Sequence, residues 1–573
     1  MKNSTKKSGI LYFGLIILTL ILTMGFIFIA CEDDSDEKDK NDGNDTIIDG
    51  KGGLAEWLSE LKKIAIDGEE YIYNLEYHEN IIPQTLFFDD KNIKITIKRS
   101  GNECNLNLSA DGSLFTIGNN VTLILENNIT LKGDIWNDNA LVYINSGGTL
   151  IINNGVKIIE NDNMKSSGGG VYNTGTFVMN GGLISNNRSD YNGYYGGGLY
   201  NEGIFTMNGG VISENKANYS GGGIYNIGTF TMNGGEISGN KTYSSGGGVY
   251  NTSTFNMNNG IISNNSINAN DGGGVYNEGI FEMFNGEISN NKSFLSGGGV
   301  RNQNGEFIMH DGKIKNNTNT GVANTNIFIM NGGEISGNTA ISDCGGVYNY
   351  GFFTMNDGKI TNNKNGGVLN AGGYYLDFQG IFIMNNGIIS DNSSNRGGGV
   401  NNYGIFTMNN GKIVGNVSTF LGGGGIYNTG DFIMNNGEIS NNLSNVSSNS
   451  DGGGGIYMDY FSSFILNGGK IFNNNSTGSG GGVYGSFDFI MNGGEIYGNT
   501  AAYNGGGVYE SIKISNGVIF GNNEGLYSNK ANNEGSSFYG SLKYGTFTNG
   551  EFLSNGDINT TDDTIRVVNG VLQ

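Results

Sequence analysis

Few side chains in this sequence are of types that do chemistry, and their spacing narrows what they could do. Asp311 and Asp357 each open a D-G-K triplet at matching places of a repeat. A carboxylate pair facing one groove suits acid/base cleavage of a glycosidic bond, while Asp before Gly also suits a tight turn. His78 and His310 are the only imidazoles, and His310 stands in M-H-D-G where sister copies read M-N-G-G. Asp271 and Asp451 precede glycine triplets and suggest calcium, but the G-G-x-G-x-D nonapeptide of calcium-binding rolls is not repeated. Beyond Cys31, Cys104 and Cys344 lie far apart, and no Cys/His spacing matches a metal set. No catalytic constellation, metal or cofactor is expected. The one extended feature is aromatic: Tyr172, Tyr200, Tyr225, Tyr250, Tyr276, Tyr348, Tyr427, Tyr457, Tyr484 and Tyr509 hold equivalent positions. Alternation along a strand puts these rings outward if their neighbours face inward, giving either a ligand-binding stripe or a ladder of rings that only covers a sheet.

What positions those tyrosines is a repeat. Gly196–Asn215 reads GGGLYNEGIFTMNGGVISEN, with close copies from Gly221, Gly246 and Gly272 and fainter ones to about Asn522. The methionines Met179, Met207, Met232, Met257 and Met283 set a period of about 25 residues, and Leu466 stands in for one later member. Apolar residues alternate within each copy, as in a strand, and three strand-like pieces end in Gly or Asn. Three strands and three corners in so short a period make one coil of a parallel β-helix, an all-β, three-faced solenoid. Stacking then files Phe on Phe and Met on Met, and turns Asn173, Asn201, Asn226, Asn251 and Asn277 into an amide ladder.

The residue after each Gly-Gly pair checks the register. It reads Glu287, Lys313, Glu334, Lys359, Ile388, Lys412, Glu438, Lys470, Glu495, so opposite charges alternate between coils nearly throughout, Ile388 being the break, as directly opposed strand positions favour. The formal net charge is −22, and the five arginines (Arg99, Arg188, Arg301, Arg396, Arg566) are scattered, which argues against a nucleic-acid partner.

At the start, Lys2, Lys6 and Lys7 precede an apolar run from Ile10 to Ile29, then Phe28-Ile29-Ala30-Cys31. This resembles a bacterial lipobox, with Phe28 where Leu is usual; the resemblance implies that Cys31 is lipidated and becomes the mature N-terminus. An uncleaved membrane anchor is the other reading of the run. Residues 1–31 are thus assigned to a signal peptide, and 32–52, dense in acid, to a disordered tether. Leu54, Trp57, Leu58, Leu61 and Ile64 at spacings of three and four predict a short capping helix over Leu54–Ile66. Residues 53–115 form the N-terminal cap with irregular early strands, 116–525 the repeats, and 526–573 the other cap.

The G-G-G-[VIL]-Y-N and F-x-M-N-G-G-x-I-S-x-N repeats resemble those of bacterial surface lipoproteins with right-handed parallel β-helices. They are similar in style to the repeats of polymorphic outer-membrane proteins, although the GG-A-I form and a C-terminal barrel are absent from this sequence. The resemblance implies a pectate-lyase-like superfamily fold and attachment to the outer membrane by lipid. It further implies exposure at the cell surface, with the periplasmic face as the alternative, and a non-catalytic role as adhesin or passive scaffold. Partners would be the membrane and host or environmental glycans or proteins, for a monomeric chain. The alternative is a polysaccharide-binding or polysaccharide-degrading protein of the same fold.

Overall fold

Alternation of inward and outward side chains decides the fold. Along Ile204–Met207, Phe205 and Met207 are buried while Thr206 is half-buried. Along Leu199–Asn201, Leu199 and Asn201 are buried and Tyr200 is half-buried. The computed structural model describes residues 52–190, 193–341, 344–372, 379–447, 452–485, 488–548 and 551–573, all within the compact unit Asp49–Gln573. Cys31, expected from its sequence context to be lipidated, and nearly all of the expected acidic tether lie outside the described residues.

These strands stack in about 18 parallel coils as a β-solenoid. Each coil contributes one strand to each of three sheets. The phenylalanine sheet pairs Phe205 with Phe230 and Met207 with Met232. The charged sheet pairs Ile212 with Ile237 at its buried position. The tyrosine sheet pairs Tyr200 with Tyr225 and Asn201 with Asn226. The coils begin at Glu70–Asn74, which pairs parallel with Ile93–Lys98. The three expected faces are present, and the polar segment before the glycine triplet adds a fourth, narrower ladder. It runs from Asp162–Asn163 through Arg188–Ser189, Lys216–Ala217 and Lys241–Thr242 to Lys530–Ala531, partly as single bridges. Its strands are only two residues long, too short to show a period in the sequence.

Three kinds of file hold the interior. Phe177 to Phe489 stack with ring centroids 4.6–4.9 Å apart, each pair adding ~0.5–1.5 kcal/mol beyond burial. The expected amide ladder runs from Asn173 to Asn428, each Nδ2 donating to the next coil's Oδ1 at 2.7–2.8 Å. A second ladder runs from Asn187 to Asn529 through the last Asn of each I-S-x-N. There both the backbone N–H and the side-chain amide of Asn240 donate to Asn265 Oδ1 at 3.0 Å, and Nδ2 also reaches the Ile212 carbonyl at 2.9 Å. These buried amides are satisfied by identical neighbours, which is what a low-dielectric interior demands.

The glycine triplet leaves no room for side chains between coils. Gly221 has φ +69°, and a Cβ on Gly222 would stand 2.5 Å from the Gly247 carbonyl of the next coil. The helix Gly53–Ile64 covers the first coil with Leu54, Trp57, Leu58 and Leu61, and Glu79 accepts the Leu54 N–H at 2.8 Å. Ile64 and Ile66 are exposed rather than part of that face, because the chain turns extended at Ala65 to enter the first strand. At the far end parallel stacking gives way to antiparallel pairing, Ile565–Val568 on Gly517–Ile519 and Glu551–Ile558 on Leu542–Thr548.

Candidate functional site: an aromatic and acidic strip

The sequence V-Y-N fixes each tyrosine's direction. Its apolar neighbour and its Asn are held inward, one by the core and one by the amide ladder, so the ring between them must face out. Two files result. Tyr143, Tyr172, Tyr200, Tyr225, Tyr250 and Tyr276 stack with centroids 4.8–5.4 Å apart. Tyr427, Tyr457, Tyr484, Tyr509 and Tyr539 do the same at 4.9–5.1 Å. Tyr143 and Tyr539 lie in the fainter copies and escape a search for the full V-Y-N motif. Between the files the position holds Arg301, Ala323, Tyr348, Leu369 and Asn401 in successive coils, and Tyr348 meets Tyr350 edge-on at 4.6 Å.

The rings stack on one another within each file, the geometry of the ladder reading. Most planes within a file lie nearly parallel, 2° apart for Tyr200 and Tyr225, so each ring's faces are covered by its neighbours in the file. Ring edges and hydroxyls are what remain outward. Tyr427 is buried outright, with the Arg396 guanidinium 5.8 Å above its ring.

Carboxylates line the strip, and they too come from the repeat. In Y-N-E-G the glutamate follows the tyrosine by two residues, so it faces outward at the corner. Tyr172 donates to Glu202 Oε1 at 2.8 Å and Tyr250 to Glu278 Oε2 at 2.9 Å; Tyr427 donates to Asp459 Oδ2 at 2.6 Å. In each case the hydroxyl belongs to the preceding coil, which is why sequence proximity does not reveal the pair. Burial, followed by the Glu202 charge, pushes the Tyr200 hydroxyl up to about 12. Burial and Glu278 do the same at Tyr276, also to about 12. Tyr172 and Tyr250 are raised further by burial together with their hydrogen-bonded carboxylates. Tyr195 adds a ring from the loop before the triplet, 4.3 Å from Tyr225 and edge-on to Tyr219 at 5.3 Å.

The other candidate groups are engaged in the fold. Asp311 and Asp357 accept the N–H of Gly312 and Gly358 at 2.7 and 2.8 Å, the bond Asn285 makes to Gly286 at 2.8 Å. They are turn residues two coils apart. Asp271 accepts the Ser296 N–H at 2.7 Å and lies 3.6 Å from the Arg301 guanidinium; Asp451 lies outside the described residues. His310 stacks on Phe284 at 4.5 Å and meets Asn331 at 3.4 Å, filling a place in an exposed asparagine file. His78 accepts the Asn105 N–H at 2.9 Å. Cys104 and Cys344 are buried, and Cys344 Sγ lies 3.2 Å from the Gly366 carbonyl. Among the described residues no three His, Cys, Asp or Glu side chains are grouped to hold a metal. No family model, curated protein or solved structure gives a significant match to this chain.

Proposed function

We propose that the protein is a lipid-anchored bacterial surface solenoid that displays an adhesive strip, acting as adhesin or scaffold rather than as a catalyst. The observation that carries this reading is the Tyr143–Tyr276 file with Glu202 and Glu278 along its edge. Ring edges are electropositive and hydroxyls both donate and accept, so such a strip suits a polar protein or glycan surface presented edge-on. Stacked files hold their side chains fixed before any partner arrives, which lowers the ordering cost of binding. The lipobox-like Cys31 and the acidic stretch after it support outer-membrane attachment, and the repeat resemblance supports a pectate-lyase-like superfamily fold. Asp311 and Asp357, bound into turns, favour the scaffold over a polysaccharide-degrading enzyme.

The test has two parts on the producing cells. Cys31→Ala should shift the protein from the membrane to the soluble fraction, and protease added to intact cells should degrade the unaltered protein. A membrane-bound Cys31→Ala variant would refute the lipid anchor. Complete protection from protease would refute surface display.

A further inference from the structure

We propose that Asn386, Asn410 and Asn436, together with Asn285, are sites of spontaneous deamidation, which turns an asparagine amide into a carboxylate. The chemistry needs no enzyme. The backbone nitrogen of the following residue attacks the asparagine Cγ; the N–Cγ bond forms, the Cγ–Nδ2 bond breaks and ammonia leaves. Water then opens the cyclic imide at either carbonyl, giving aspartate or isoaspartate. Attack needs a side chain free to swing to within roughly 3–3.5 Å of that nitrogen, and a following glycine, lacking a Cβ, obstructs it least. Asn-Gly recurs at the corner of most repeats, so the dipeptide alone marks all of them alike. The fold sorts them into two classes.

In the first class the asparagine directly follows the methionine and is a rung of the exposed asparagine file. Asn208 Nδ2 donates to Asn180 and Asn233 Nδ2 to Asn208, both at 2.8 Å. The attacking nitrogen is held as well, because the Gly209 and Gly234 N–H groups donate to the Met179 and Met207 carbonyls at 3.3 Å. In the second class the preceding residue takes the place in the file and the asparagine stands outside it. Asn385, Asn409 and Asn435 are the rungs, and Asn386, Asn410 and Asn436 follow them. At Asn285 the Gly286 N–H turns to the asparagine's own Oδ1 at 2.8 Å, which sets the side-chain amide beside the nitrogen that must attack it. Asparagines of both classes are exposed, so access of water does not separate them; restraint does.

The product already stands in sister copies. Asp311 and Asp357 hold the second-class position and accept the next glycine's N–H at 2.7 and 2.8 Å, so a carboxylate fits this corner. Asp357, Asn386, Asn410 and Asn436 line one groove of about 710 Å³ beside Lys412 and Glu438. Deamidation there extends the Asp357 carboxylate into a row of acids ~4.8 Å apart. The charge of the groove then tracks the age of the molecule.

The test stores the full chain in detergent micelles in mildly alkaline buffer, with peptide mass spectrometry reading amide-to-acid conversion at each Asn-Gly. Asn285, Asn386, Asn410 and Asn436 should convert roughly tenfold faster, or more, than Asn208 and Asn233. In concentrated urea the two classes should converge, because the dipeptides are then alike. Asn208→Ala combined with Asn258→Ala strips both rung partners from Asn233 and should raise its rate toward that of Asn410. Equal rates in the folded protein, faster conversion on the file, or an unaltered rate at Asn233 in the double variant overturns the proposal. If that variant does not fold, the unaltered chain decides: a class difference that persists undiminished in urea belongs to local sequence and overturns the part assigned to the fold.

Discussion

The ε-methyl of Met207 lies 2.6 Å from where a Cβ on Gly235, one coil later, would stand. The same relationship joins Met179 to Gly210, Met232 to Gly260 and Met384 to Gly411. The M-N-G-G motif is therefore a contact between coils: the glycine leaves the space that the preceding methionine fills. Where Leu466 replaces Met, the nearest Leu466 carbon to that point at Gly494 is 3.3 Å away.

Gly235→Ala should destabilise by roughly 1–3 kcal/mol, because its φ of +88° disfavours a side chain and Met207 must leave its file. Combined with Met207→Ala, the loss should be smaller than the sum of the two single losses, since the contested space is then free. Denaturant midpoints of the four proteins measure this, and strict additivity would refute the contact.

Asn240 and Asn233 are both rungs of amide ladders, yet they should behave differently. Asn240→Leu strands the Asn215 amide and the Ile212 carbonyl inside the core, costing roughly 2–5 kcal/mol. Asn233→Ala removes an exposed rung between Asn208 and Asn258 and should cost less than about 0.5 kcal/mol. Equal midpoint shifts in urea would contradict the buried ladder.

The tyrosine strip makes the fold sensitive to base. An unfolded tyrosine ionises near ~10, whereas Tyr200 and Tyr276 hold their protons up to about 12. Their contribution to stability is full below the unfolded value and is lost as pH rises from about 10 through about 12. Thermal midpoints followed across that window should fall, and they should fall less in a Tyr200→Phe, Tyr276→Phe variant.

Replacing Tyr225, Tyr250 and Tyr276 together by Phe separates stacking from recognition. Because hydroxyls and edges face outward, the variant should keep its fold and its ring file while adhesion to host cells or glycans weakens. Replacement of the same three by Ser should also lower stability, by ~0.5–1.5 kcal/mol per lost ring pair. Undiminished adhesion in the Phe variant would remove the hydroxyls from the proposed interface.

Asp357→Asn should be nearly silent in stability, within about 0.5 kcal/mol, since Asn285 makes the same turn bond. Retained glycan degradation is not the expectation; any hydrolytic activity abolished by this change would restore the enzyme reading.

Much of this was legible in the residues themselves. The 25-residue recurrence of Phe, Met and Asn specifies parallel coils because side chains one period apart must lie on one another, and the Asn173–Asn277 ladder followed from that, the fold carrying it on to Asn428. The amphipathic spacing of Leu54, Trp57, Leu58 and Leu61 likewise specified a helix. What the sequence left open was set by distances between coils. The second ladder, Asn187 to Asn529, reads as ordinary turn asparagine until the backbone shows both its N–H and its amide converging on one oxygen. The tyrosines and the two readings of their file, binding stripe or stacked ladder, came from position; the stacking distances and the Glu202 and Glu278 partners, which belong to neighbouring coils, came from the fold. The fourth ladder was invisible because two-residue strands carry no periodicity. Period determines which residues share a file; only the folded backbone decides what each file faces, because that depends on corner geometry no local pattern encodes.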